Sequence, residues 1–265
     1  MITILFRKCL SDEEEFTAAQ KYFNTVEYRS LIHEGDLVIP RYSALPYYEE
    51  LEKDILLLKG GRLINTYQQF QFIADLQNWY YLLEDLTPKT WFSLESVDKE
   101  CSYVLKGATN SKKSLWNTHM YAHDKSEMLK VYFRLQDDSL IGSQNIYIRE
   151  YEPFISYGTG IGGVPITKEF RFFVCNGKII GSDFYWSNQP EIKKQYDLNS
   201  KEVSRRFLDE IIERVSPSNN FFVIDIAQRV DLEWRLVELN AGEMSGLSDI
   251  NPHFLYKNLK KVINK

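Results

Sequence analysis

The 265 residues are 44% hydrophobic and 14% aromatic, a composition that builds a well-buried core and excludes a disordered chain. Thirty-two basic residues against 37 acidic ones leave a formal charge of −5, which speaks against a surface made to coat nucleic acid. Cys9, Cys101 and Cys175 lie far apart without metal-ligand spacing, the apolar start breaks at Arg7 and Lys8, and no run approaches the roughly 18 apolar residues of a membrane span, so a cytoplasmic location with buried thiols is expected.

In chain order, Ile2 to Phe6 reads as a strand. Ser11-Asp12-Glu13-Glu14 caps a helix running to about Tyr22, its acids at the positive end of the helix dipole. Asp36 to Pro40 reads as a second strand, and Pro46 opens a helix whose stripe is Leu51, Ile55 and Leu58 and whose end is Gly60-Gly61. A third strand, Arg62 to Asn65, precedes the longest helical pattern, Tyr67 to Glu84. Alternating strands and helices imply a small α/β layer with a parallel sheet, bounded near Thr87-Pro88-Lys89-Thr90.

Beyond that boundary the pattern is α+β with mainly antiparallel pairing. Ser102 to Leu105 and Gln144 to Tyr151 are strand-like and flank a polar loop, Gly107 to Ser114, and a helix from Lys125 to Gln136. Glu169 to Cys175 and Lys178 to Phe184 form a hairpin around Asn176-Gly177. Asn199-Ser200 caps a helix to Val215, two strands follow, Phe221 onward and Trp234 onward, and Pro252 introduces a final helix. No repeat or low-complexity tract is present.

The two late strands carry acid among core residues. Asp225 interrupts the first, while Glu238 and Asn240 lie two apart on the second and so share a face of the pleat. Three oxygen donors there suit Mg²⁺, which is held by one or two carboxylates plus substrate phosphates; an ordinary polar strand end is the alternative. Lys106 ends an apolar strand before a loop containing Lys112 and Lys113, a pattern that fits phosphate binding or a plain surface loop. Glu150, Tyr151 and Glu152 close another strand, as an adenine- and ribose-holding segment or an amphipathic edge. Glu169 and Arg171 share a hairpin face, as a phosphate clamp or a salt bridge. His119 and His123 lack a third ligand, so zinc is not expected.

Taken in order, these pieces resemble the ATP-grasp superfamily, and most closely its small divergent members from bacteria and their phages. Val38-Ile39-Pro40-Arg41, Leu63-Ile64-Asn65 and Pro88-Lys89-Thr90 are similar to the pre-ATP-grasp layer and its exit. Tyr103-Val104-Leu105-Lys106 resembles the strand whose lysine touches ATP phosphates, and Ile148 to Glu152 the hinge. Glu169 to Val174 resembles the arginine-bearing hairpin, and Val223 to Ala227 with Val237 to Asn240 the paired magnesium strands. The usual glycine-rich phosphate loop is lysine- and serine-rich here.

The resemblance implies an α/β and α+β ATP-grasp fold: a pre-ATP-grasp layer over 1–90 and a nucleotide-binding and catalytic domain over 91–265, with clamping lobes at about 91–150 and 151–265. It implies a carboxylate–amine ligase that uses ATP and Mg²⁺, with small-molecule or peptide carboxylate and amine substrates and neither membrane nor nucleic acid as partner. Lys106 and Arg171 would be catalytic; Lys112, Lys113, Glu150, Tyr151, Glu152 and Glu169 would join them on the nucleotide; and Asp225, Glu238 and Asn240 would hold the metal. Ser245, Asp249, Asn251 and Arg41 are candidates for meeting the acceptor. A kinase using the same site and a non-catalytic grasp-like binding module are the alternatives.

Overall fold

The computed structural model describes residues 1–7, 12–42 and 47–264. The expectations placed on Cys9, Ser11 and Pro46 lie outside them. None of the helices in the described residues is long and apolar enough to cross a membrane.

A parallel sheet comes first, in the order β2-β1-β3-β4: β1 is Ile2–Phe6, β2 Asn24–Val26, β3 Leu37–Arg41 and β4 Arg62–Leu63. β2 is short and polar, with no alternation to mark it in the sequence. Helix α1, Glu13–Gln20, begins where the Asp12 side chain accepts from the Glu14 amide. Helix α2, Tyr47–Lys59, buries Tyr48, Leu51 and Ile55, but Leu58 is 75% exposed because the last turn runs past the packed layer.

The long helix expected from Tyr67 to Glu84 is instead α3, Tyr67–Ala74, α4, Leu76–Trp79, and a 3₁₀ turn, Tyr80–Leu82. Asp75 breaks it: its backbone is extended and its carboxylate accepts from the Gln77 amide, so a side chain that competes with helix geometry starts a new helix.

A second, antiparallel sheet has the order β5-β8-β6-β7, with β5 Thr90–Trp91, β6 Tyr103–Gly107, β7 Tyr121–Ala122 and β8 Ile146–Glu150. Helix α5, Lys125–Gln136, covers it with Met128, Val131 and Leu135 against Leu105, Ile146 and Ile148. β9, Ser156–Thr159, and β10, Pro165–Thr167, form a separate hairpin.

The largest antiparallel sheet runs β12-β11-β13-β14, from β11 Glu169–Cys175, β12 Lys178–Phe184, β13 Phe221–Gln228 and β14 Trp234–Ala241. Asn176 and Gly177 both have positive φ, the requirement of a tight hairpin turn. After a short helix α6, Pro190–Gln195, Asn199 caps only a 3₁₀ turn, and Ser204 caps α7, Arg205–Val215. The break lets Val203 turn inward before α7 begins.

The two faces of this sheet have different neighbours. Phe170, Phe172, Phe222 and Ile224 pack with Leu208, Ile211 and Ile212 of α7. On the other face, Phe173, Cys175, Phe221 and Val223 pack with Ile4, Phe6 and Ile39 of the parallel sheet and with α8, Pro252–Ile263. Further along that second face, the alternation turns acids and arginine inward where apolar side chains would otherwise continue.

Candidate active site

Register brings the acids together. Asp225 on β13 lies opposite both Arg171 on β11 and Glu238 on β14, and Val223 lies opposite Asn240, so all four polar side chains share one face. Arg171 grips Asp225 with both arms of its fork, Nε to Oδ1 at 2.8 Å and Nη2 to Oδ2 at 2.7 Å. Asn240 Nδ2 donates to Asp225 Oδ2 at 2.9 Å, and Arg171 Nη1 reaches the Gly246 carbonyl at 2.8 Å. Asp225 is 1% exposed, a burial its charge tolerates only with such partners.

Lys106, at the end of β6, crosses from the second sheet to ion-pair with Glu238. Burial pushes Glu238 up, but Lys106, then Lys113 and Arg149, outweigh it and hold the carboxyl down at about 2. Lys113 donates to the Tyr185 hydroxyl at 2.7 Å and lies over the Tyr185 ring at 4.3 Å and the Trp186 ring at 5.6 Å. Burial opposes its charge, but Tyr185, Glu169 and Glu238 more than compensate and raise its pKa. Glu169 is fixed by the Thr167 hydroxyl on Oε2 at 2.9 Å, while its buried Oε1 has no partner among the described residues. Burial pushes Glu169 up to about 7, with Lys113 opposing and Asp225 adding to the rise.

These groups form the inner end of a cleft enclosing about 860 Å³ of empty space, within the range of small-molecule sites. Val104, Trp116, Met120 and Val237 give it apolar walls, and Glu150, Tyr151 and Glu152 line its rim. Glu150 pairs with Lys99 at 2.6 Å, the Tyr151 ring meets Tyr121 edge-on at 5.0 Å, and Glu152 lies 3.2 Å from Arg235.

Lys112 is not brought in. It pairs with Asp138 beyond α5 at 2.8 Å, a bond that, against slight burial, takes that carboxyl down to about 2. The loop residues named for an acceptor have other partners: Asn251 caps α8, Asp249 pairs with Lys193 at 2.8 Å, and the Ser245 hydroxyl donates to the Ala241 carbonyl. Arg41 does meet a carboxylate, but it is the buried Glu15 at 2.8 Å, and its other arms hold the Gly242 and Ser245 carbonyls.

Sequence reasoning missed Arg149, Tyr185, Trp186 and the glycine-rich hairpin tip between β9 and β10. Four glycines between 158 and 163 were the available signal for the tip. A Cβ on Gly162, whose φ is +70°, would lie 2.0 Å from the Ser114 carbonyl oxygen, so this tip closes directly on the Lys113 loop.

Among the described residues no three His, Cys, Asp or Glu side chains gather as a metal site. A metal here therefore depends on the Asn240 amide oxygen joining Asp225 and Glu238. That set fits Mg²⁺: all three are hard oxygen donors on one sheet face, and neither Glu238 Oε2 nor Asn240 Oδ1 is hydrogen-bonded within the described residues.

Three solved structures share this architecture. A RimK domain ATP-grasp protein from Sphaerobacter thermophilus DSM 20745 superposes with a TM-score of 0.59 at 14% identity, over 97% of this chain and 99% of its own. D-cycloserine synthetase DcsG gives 0.59 at 11%, over 99% and 100%. The ATP-grasp ligase PsnB, seen with precursor peptide PsnA2 and AMPPNP, gives 0.57 at 12%, over 100% and 97%. No curated protein matches the chain. The parallel sheet followed by antiparallel sheets facing a cleft is the ATP-grasp fold. Within it the chain belongs to an ATP-grasp domain family, the third family of its clade, whose model matches residues 95–259.

Proposed function

We propose that this protein is an ATP- and Mg²⁺-dependent carboxylate–amine ligase that forms an acylphosphate and releases ADP and phosphate. The observation that carries the reading is the convergence of Lys106, Lys113 and Arg171 with Asp225, Glu238 and Asn240 at the inner end of one cleft. The printed descriptions of the structural neighbours, a synthetase and a ligase seen with precursor peptide and AMPPNP, support the same class of reaction.

In this reading residues 1–90 form the layer facing the acceptor, and the lobes at about 91–150 and 151–265 hold the nucleotide. Val104, Trp116, Met120 and Val237 flank the base, the Glu150 to Glu152 segment meets its edge, and Glu152 and the free Oε1 of Glu169 accept from ribose hydroxyls. Lys106 and Lys113 neutralise the phosphates, and Lys113 takes this role over Lys112 because Lys112 is held by Asp138. Asp225, Glu238 and Asn240 would hold Mg²⁺, which supplies positive charge to the phosphate oxygens. The acceptor carboxylate attacks the γ-phosphorus as ADP leaves, Arg171 offsets the charge that develops, and an amine then displaces phosphate from the acyl carbon.

Calorimetric titration of ATP, with and without Mg²⁺, tests the reading. Wild type is expected to bind with Mg²⁺, Asn240→Ala to lose about tenfold or more in affinity, and Glu238→Gln to lose turnover with its circular dichroism unchanged. Wild type that binds no ATP in either condition overturns the proposal, and phosphorylated acceptor without amide would identify a kinase.

A further inference from the structure

A second pocket opens on the far side of the site from the nucleotide cleft, and the two share no lining residue. They meet at one pair of acids. Arg171 and Asn240 line the second pocket and both bind Asp225, whose cross-strand neighbour Glu238 lines the first. A molecule in the second pocket therefore lies next to the phosphate end of the cleft.

Its chemistry is narrow. Arg171 is the one charged residue among those that line it, and the walls include Phe70, Ala74 and Met244. Three N–H groups of Arg171 are engaged by Asp225 and Gly246, and a guanidinium has five. The walls are fixed before any ligand arrives. Phe70 stacks on Tyr48 at 4.1 Å, the Tyr48 hydroxyl holds Glu243 at 3.0 Å, and Arg41 holds the Ser245 carbonyl at 2.9 Å.

We propose that this pocket takes the acyl substrate, a carboxylic acid with an uncharged, apolar side chain, its carboxylate beside Arg171 and Asn240 and its side chain against Phe70, Ala74 and Met244. The assignment rests on the ligase reading. A second charged group on the substrate finds no counter-ion on these walls, and its desolvation opposes binding.

Hydroxylamine makes the test independent of the natural amine: its nitrogen attacks the acyl carbon, a C–N bond forms as the C–O bond to phosphate breaks, and a hydroxamate is released. L-Leucine, L-phenylalanine, L-glutamate and L-lysine are supplied in turn with ATP and Mg²⁺. The apolar pair is expected to give hydroxamate about tenfold or more above the charged pair. Ala74→Trp and Met244→Trp fill the pocket from opposite walls, and each folded variant is expected to raise the acceptor KM about tenfold while ATP affinity stays within about threefold. Preference for the charged acids, an unchanged KM in the folded variants, or no hydroxamate from any of the four while ATP binds overturns the pocket assignment. Failure of wild type to bind ATP overturns the ligase reading instead.

Discussion

Glu243 is fully buried in the loop after β14, where Oε1 accepts from the Asn65 amide at 2.7 Å and the Tyr48 hydroxyl at 3.0 Å. Oε2 has no partner among the described residues, and burial, only partly offset by Asn65, Tyr48 and Arg41, pushes the group up to about 7. The folded protein thus holds this proton more tightly than the unfolded chain. Its contribution to stability is complete below the ordinary value of 4.5 and is lost as pH rises through 7. Glu238 and Asp138, both held near 2, titrate below that window. Glu243→Gln keeps the accepting oxygen and removes the titration, so its melting temperature is expected to vary less between about pH 5 and 8, the difference amounting to at most about 3 kcal/mol. Equal slopes for variant and wild type would contradict this account. At this scale the period of two along β14 sufficed to put Glu238 and Asn240 on one face. The choice between Lys112 and Lys113 was hidden, because it depends on where Asp138 comes to rest after α5.

Local signals located several elements well. The Asn176-Gly177 turn and the stripe and acidic first turn of α5 carry their own instructions, whereas the break at Asp75 is reinforced from a distance by the Tyr147 hydroxyl, 2.7 Å from its carboxylate. The β9–β10 tip was passed over for a related reason: its glycines acquire meaning only against the backbone of the Lys113 loop. Gly162→Ala meets both a positive φ and the Ser114 oxygen, so the lysine loop must move. Calorimetry is expected to show ATP affinity lowered about tenfold or more with only a modest drop in melting temperature. Unaltered affinity would mean that the tip does not position the loop.

Across the whole molecule, the order of parallel and antiparallel segments was readable from alternation and turn residues, but the seam between them was not. Arg41, read as a surface contact for a substrate, is 1% exposed and joins Glu15 of α1 to the loop at Gly242 and Ser245. Arg41→Met leaves Glu15 buried without its cation, an expected loss of about 3–5 kcal/mol in denaturant unfolding. A loss under about 1 kcal/mol would show that the tyrosines around Glu15 suffice. One of those tyrosines is Tyr256, whose hydroxyl lies 2.6 Å from Glu15 across a sequence separation of 241 residues. On the ribosome α1 therefore emerges long before its partner exists. Glu15 must wait, hydrated, until α8 has been made, and the first-made sheet acquires its final packing only when nearly the whole chain has left the exit tunnel.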